Sequence, residues 1–302
     1  MTRNPSATSM RIHIVTCSSP DREQVLAKNI EHMRGLGFEV TLFESPNAHS
    51  HVWPFTAGTV KERGLLWQKA YKNCDFLFAT RGGYGASDFL PQLKFSNFKK
   101  KDHKNLPVVI GFSDISALHS ALYAQLKKPG LHANMPGSTL WDFNRLDVKS
   151  IFAWMKTPDS LPHIALQSFA AKKGAIKGKL FGGNLATLTN LIGTPYIPKT
   201  LRDHILFFED LGENGGKVMR YLNQWQQSGL LRDVKAIIFG DFKGLERKVE
   251  VNDLNFHTEV LNHVGKIRCF TSNAFGHKIS NTPLLIGGNY EIKNNSLRFT
   301  PQ

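Results

Sequence analysis

The stretch LPVVIGFSDISALHSALYAQL, residues 106–126, passes from an apolar segment directly into a helical one. LPVVI is short, apolar and β-branched, as in a strand buried on both faces, and the residues from Asp114 onward read as a helix. A strand that turns at once into a helix is the repeating step of an α/β fold. Ser113 and Asp114 occupy the turn, and two readings of the serine stay open. As a helix N-cap, its hydroxyl would satisfy an orphan backbone N–H. As a nucleophile, it would stand at the edge of a sheet with the Asp114 N–H beside it, ready to meet a negative oxygen.

Outward from this turn the same alternation continues. RIHIVTCSS reads as a buried strand, and DREQVLAKNIEHMRGLG as a helix closed by a glycine that suits a C-cap. FEVTLFES is a second strand; after a loop rich in His, Asn and Pro come the helix TVKERGLLWQKAYKN and the strand CDFLFAT. Strands alternating with helices predict a parallel sheet with helices on both faces and right-handed crossovers. Ligands of such sheets bind beyond the carboxyl ends of the strands. TRGGYGASDFLP follows CDFLFAT at that rim, where Gly82, Gly83 and Gly85 permit positive φ and could present N–H groups to an anion. A plain glycine turn accounts for the same residues. The G-x-G-x-x-G spacing of a dinucleotide site and the Walker loop are both absent.

From about Trp141 to Gly178 the pattern loosens, with one weak helix around VKSIFAWMK. Residues 1–150 are expected to form a nucleophile-bearing α/β domain, 151–175 a linker, and 176–302 a smaller domain of mixed strands and helices. That last segment contains the strands HILFFED and VKAIIFGDF, helices around VMRYLNQWQQSGLL and NDLNFHTEVLNHVG, and short strands through PLLIGGNYEIKNNSLRF.

Composition narrows the function classes. The 302 residues are 41% hydrophobic, enough for one large core or two modest ones, and no apolar run approaches the roughly 18 residues of a membrane span. MTRNPSATSM lacks the apolar core of a signal peptide, so a cytoplasmic protein is expected. The charge is +14, from 38 basic and 24 acidic residues, yet the lysines gather in loops such as KKKDHK (99–104) and AKKGAIKGK (171–179) without aromatic interleaving. Nucleic acid is therefore not an expected partner; a solvated basic surface that attracts small anions is. Cys17, Cys74 and Cys269 have neither disulfide nor zinc spacing, so no metal or cofactor is expected.

A nucleophilic serine needs a base, and the base an orienting acceptor. Glu209 and Asp210 end the apolar run ILFF, and His277 follows Gly276 in NAFGHKIS. His119, inside the helix after Ser113, reads as a packing residue, whereas His132 in GLHANMPG could line the same cleft as the serine.

The segments RGGYGASDFLP, GFSDISALH, GKLFGGNLATLTNLIGTPYIP, ILFFEDLGE, IIFGDF and AFGHKISNTPLLIGG, in this order, resemble the LD-carboxypeptidase family of serine peptidases, the muramoyltetrapeptide carboxypeptidases. The resemblance implies a flavodoxin-like N-terminal domain, a smaller C-terminal domain and commonly a homodimer. It implies a triad of Ser113, Glu209 and His277, and an oxyanion hole from the N–H groups of Asp114 and Gly83. The implied substrate is a murein tetrapeptide that loses its terminal D-alanine. A microcin C self-immunity peptidase of the same family and a non-catalytic peptide-binding relative are the alternatives. Arg81 and Arg220 are candidates, on charge alone, for gripping the substrate carboxylate. Two stretches depart from the family pattern. His132-Ala133-Asn134-Met135 stands where His-Gly-Pro-Met is common, and ENGGKVMRYL replaces a proline- and tyrosine-containing turn, with Arg220 retained.

A triad without metal ligands or a reactive thiol makes a direct prediction. Chelators and thiol alkylation of the folded protein leave the peptidase activity largely unchanged. Activity lost in EDTA and restored by zinc would refute it.

Overall fold

A computed structural model of the chain describes residues 9–21, 23–45, 48, 53–99, 106–170, 174–243, 253–277 and 280–301. Residues 100–104 and 171–173 of the two lysine-rich loops, and most of the His/Asn/Pro-rich loop, lie outside them. The chain packs as two compact units, residues 1–110 with 135–139, and residues 111–134 with 140–302. The boundary falls between Ile110 and Gly111, so Ser113 belongs to the same unit as Glu209 and His277.

The first unit is the expected parallel sheet. It comprises β1 (Arg11–Val15), α1 (Glu23–Gly35), β2 (Glu39–Phe43), α2 (Val60–Ala70), β3 (Phe76–Ala79), the short α3 (Phe95–Lys99) and β4 (Val108–Gly111). All pairs are parallel, β2 to β1, β1 to β3 and β3 to β4. Ile12, Ile14, Leu77, Phe78, Val109 and Ile110 are buried, as expected of strands covered on both faces. α2 starts at a capping box, with Thr59 and Glu62 satisfying each other's backbone N–H. It ends at Ala70, short of the predicted YKN, where Asn73 takes a left-handed φ of 59°.

The second unit opens with a 3-10 turn, Ser113–Ile115, and continues through α4 (Ser116–Leu126) and β5 (Gly130–His132). The predicted linker is not structureless. α5 (Leu146–Lys156) buries Ile151, Phe152, Trp154 and Met155, and β6 (Ile164–Ala165) and β7 (Gln167–Ser168) join the large sheet. β8 (Ile176–Asn184), α6 (Leu185–Thr189), β9 (His204–Leu211), α7 (Gly215–Gln227), β10 (Ala236–Lys243), α8 (Asp253–Val264) and β11 (Arg268–Thr271) follow, then β12 (Leu284–Ile286), β13 (Asn289–Lys293) and β14 (Ser296–Phe299). The eight-stranded order is β6-β14-β13-β8-β9-β10-β11-β7. Its centre, β8 to β11, is parallel, and its flanks are antiparallel. β12 pairs antiparallel with β5, Leu284 opposite His132.

β9 is the central strand, with Ile205, Leu206, Phe207 and Phe208 all fully buried. α7 covers it with Val218, Leu222 and Trp225, one stripe at helical spacing, and Trp225 lies 4.9 Å from Phe208 between ring centroids. Among the described residues no helix is long and apolar enough to cross a membrane, and no cluster of His, Cys, Asp and Glu could hold a metal ion. All three cysteines are buried thiols, and burial, followed by the charge of Asp75, pushes Cys74 up to about 12.

The β8–β9 register depends on Gly182 and Gly183, which pair with Phe207 and Phe208. A Cβ on Gly182 would be driven into the Phe207 carbonyl oxygen, which is backbone and cannot swing away. Gly182→Ala is therefore expected to destabilise the protein by about 1–3 kcal/mol, at the upper end of that range, read by denaturant unfolding. A variant with the wild-type midpoint would show that this register is wrong.

Candidate active site

Gly111 and Ser113 form a tight elbow between β4 and the following helix. A Cβ on Gly111 would press against Ile115, and Ser113 adopts φ 62°, a left-handed conformation that costs a non-glycine residue on the order of 1–3 kcal/mol. The hydroxyl is not a cap. Neither the 3-10 turn nor α4 has a side-chain capping hydrogen bond at its start. The Ser113 Oγ instead lies 3.0 Å from Nε2 of His277. A strained serine whose hydroxyl is turned to an imidazole has the geometry of a nucleophile elbow rather than that of a helix cap.

His277 Nδ1 lies 2.6 Å from Oε2 of Glu209. An ionised carboxylate only accepts hydrogen bonds, so Nδ1 carries the proton and donates it. The neutral ring then offers Nε2 as acceptor to the Ser113 O–H, and the line Ser113–His277–Glu209 is polarised in one direction. Glu209 is fully buried and the His277 side chain is 10% exposed. Burial lowers the affinity of His277 for a second proton. The Glu209 charge and hydrogen bond, with Asp210 and Asp241 beyond, outweigh it and raise the imidazole above its ordinary value.

Sequence alternation predicts Glu209 and Asp210 on opposite faces of β9, and each does find its own partners. Both are buried, because this strand is covered on both sides. Asp210 accepts hydrogen bonds from Asn184 Nδ2 (2.9 Å) and from the backbone N–H groups of Ala186 (2.8 Å) and Leu211 (2.8 Å). Burial, then repulsion from Glu209, still push Asp210 up to about 6. Glu213, beyond the strand, pairs with Lys217 at 3.0 Å.

The remaining candidates are placed as follows. Asp114 lies in the first turn of the helix, immediately after Ser113, and is buried. His132 does not line a cleft. It is fully buried on β5, its ring against Phe112, Phe207 and Phe275, and burial with the nearby His119 and His277 lowers it to about 3. A substrate role for His132 is thereby withdrawn. His119 packs as expected, on the space that Gly130 leaves. Arg220 is exposed on α7. In the first unit, Arg81 donates to the Pro20 carbonyl at 3.2 Å. Gly83 takes φ 119°, and a Cβ there would strike Ser19. Ser19 Oγ ties that loop, accepting from Tyr84 N and donating to the Phe55 carbonyl. Buried Arg63 braces the same loop through the Gly85 carbonyl and Asp88.

Several residues around the triad carry no signal in the sequence. Ser116 Oγ accepts from the Asn184 N–H at 2.9 Å, in space that Gly183 leaves open. The SDIS spacing names no partner for it, so only the fold discloses the contact.

The chain matches two family models, the LD-carboxypeptidase N-terminal domain over residues 12–133 and its C-terminal domain over 177–292. The murein tetrapeptide carboxypeptidase of Pseudomonas aeruginosa is 27% identical over 271 residues, 84% of this chain and 85% of that protein. The solved muramoyltetrapeptide carboxypeptidase from Oxalobacter formigenes superposes with TM-score 0.77 at 26% identity, covering 95% of this chain and 98% of that one. An MccF-like protein from Bacillus anthracis shares the fold with TM-score 0.82 at 21% identity, each chain covered to 98%.

The two carboxylates of β9 separate experimentally. Glu209→Gln removes the charge that steadies a protonated His277 and is expected to lower kcat by two or more orders of magnitude. Asp210→Asn places an amide N–H against backbone donors, so its expected effect is a stability loss of about 1–3 kcal/mol with a far smaller change in kcat. Glu213→Gln changes neither much. Should Asp210→Asn be the inactive variant while Glu209→Gln turns over normally, the assignment moves by one residue.

Proposed function

The chain belongs to the LD-carboxypeptidase family, and from that premise we propose that it is a serine carboxypeptidase that cleaves the LD-peptide bond of a murein tetrapeptide and releases the terminal D-alanine. The observation that carries the reading is the continuous hydrogen-bonded line from Ser113 through His277 to Glu209. The same reading makes the substrate a cytoplasmic peptide of cell-wall turnover and the working form a homodimer.

In the proposed reaction, Ser113 Oγ attacks the scissile carbonyl carbon as its proton passes to His277 Nε2. The carbonyl oxygen becomes an oxyanion facing the Asp114 N–H at the helix start. Gly83 is proposed as the second donor on the resemblance alone. Collapse expels the D-alanine amine, which takes the proton back from Nε2. Water then attacks the acyl-enzyme, again giving its proton to Nε2, and Ser113 leaves with that proton. Glu209 holds Nδ1–H throughout and balances the imidazolium charge without itself accepting the proton. Arg81 and Arg220 remain the proposed cations for the substrate's terminal carboxylate.

Ser113→Ala is expected to lower kcat at least about a thousandfold, with D-alanine release measured by mass spectrometry. Stability changes little, since this hydroxyl caps no helix. In the wild type, the base works only when unprotonated. With His277 raised, kcat/KM climbs with pH through a limb lying above the ordinary imidazole value of 6.5. Glu209→Gln moves that limb downward, because burial of the ring is then opposed only by the lesser contributions of Asp210 and Asp241. If Ser113→Ala keeps a tenth of the wild-type rate, the serine mechanism is wrong. If an acyl-sulfamoyl nucleotide is cleaved in preference to the tetrapeptide, the self-immunity branch is the better assignment.

A further inference from the structure

Away from the three triad side chains, a second buried polar group surrounds the chain segment that presents His277. Asp147, at the start of α5, accepts at Oδ2 from Asn134 Nδ2 (2.8 Å), from the Asn281 backbone N–H (2.9 Å) and from Arg145 Nη2 (2.7 Å). Its Oδ1 accepts from Arg145 Nε at 3.0 Å. Asn281 carries the connection onward. Its Oδ1 accepts from the Gly276 N–H at 3.1 Å, the residue immediately before His277, and its Nδ2 reaches Asn134 Oδ1 at 3.5 Å. The Thr282 N–H closes the same bend onto the Ala274 carbonyl at 2.7 Å. Asn134 and Asn281 have no exposed surface and Asp147 is 5% exposed.

Three buried polar side chains, held to one another and to the backbone on both sides of His277, are more than packing requires. Each costs desolvation that only a complete set of partners offsets. Arg145 keeps Asp147 ionised, burial opposing it and the guanidinium hydrogen bonds prevailing. The bonds to Asn134 and to the Asn281 N–H are therefore charge-assisted, the stronger kind. Gly276 has φ 126°, and a Cβ there would meet Asp241, so this position admits only glycine against β10. The Asn281 amide holds it from the other side. Asn134 stands where the family resemblance expects proline, a residue with no side-chain amide, so the departure from pattern coincides with a residue of this cluster.

We infer that Asn281, hung from the Asp147 carboxylate with Asn134 as its brace, is a positioning residue that fixes the backbone before His277 and so sets the imidazole between Ser113 and Glu209. The inference rests on the proposed role of His277 as base. It acts through geometry alone: no member of the cluster touches the imidazole or the serine hydroxyl among the hydrogen bonds described.

The experiment compares wild type, Asn281→Ala, Asn134→Ala and the remote core variant Leu297→Ala, the last matched for loss of thermal stability. Two readouts are taken: tetrapeptide turnover, and the NMR signal and titration of His277, which need no substrate. Asn281→Ala is expected to lower kcat roughly 10- to 100-fold with KM little changed, since a displacement of about 1 Å is worth that much. Its His277 Nδ1–H resonance shifts and its titration moves to lower pH as the Glu209 contact loosens. Asn134→Ala shows the same changes at smaller size, and serves alone if Asn281→Ala does not fold. Leu297→Ala leaves the His277 signal in place. Unchanged kcat and His277 signal in both asparagine variants, or equal changes in Leu297→Ala, would overturn the inference. A wild type that ignores the tetrapeptide while its His277 signal still responds to Asn281→Ala would refute the proposed substrate and leave the positioning role standing.

Discussion

A carboxylate with no exposed surface, near the end of the buried run of β9, is the constraint around which the second unit is organised. Removing the Glu209 charge from water is expensive, and its Oε2 has one close partner, Nδ1 of His277. The neighbouring Asp210 is handled differently. Three N–H donors converge on it, and even so burial and the adjacent charge push it up to about 6. The strand thus holds one acid satisfied by structure and one whose compensation is left to an imidazole. That division makes Asp210 a structural acid and keeps the negative charge of Glu209 directed at His277.

The same residues form a closed circuit. Ser113 begins the turn into α4; Ser116, three residues on, takes the Asn184 N–H; the Asn184 side chain donates to Asp210; and Asp210 adjoins Glu209, whose hydrogen bond to His277 returns to Ser113. Asn184 also caps α6, accepting from the Thr187 N–H at 3.0 Å. Helix, strand and base are therefore tied at three points, which is how a serine can be kept at φ 62°. Strain of this kind persists only where the surroundings over-determine it.

Much of this was legible in the order of residues. The alternation of apolar runs with helical segments predicts the parallel sheet of the first unit, and ILFF predicts the buried strand that ends in Glu209. What could not be read is which segments pack together. Trp141 to Gly178 looks like a connection because Pro, Gly, Ser and Lys dilute its pattern, yet α5 is buried and supplies Asp147. His132 is a related case. In the sequence it follows a strand-like turn and could line the same cleft as the serine, and only the three aromatic rings around it, drawn from residues 112, 207 and 275, show it to be interior. Contacts between residues distant in the chain leave no periodic trace.

The burial of His132 has a consequence for the base. Held at about 3, it is neutral near pH 7, so the ring of Phe112, 4.9 Å from His277, is backed by an uncharged group. All the charges that act on His277 to raise it, from Glu209, Asp210 and Asp241, are negative. A protonated His132 would have opposed them in a low dielectric, lowering the proton affinity that the proposed deprotonation of Ser113 requires. The aromatic cage that removes His132 from any substrate role therefore also protects the polarity of the triad.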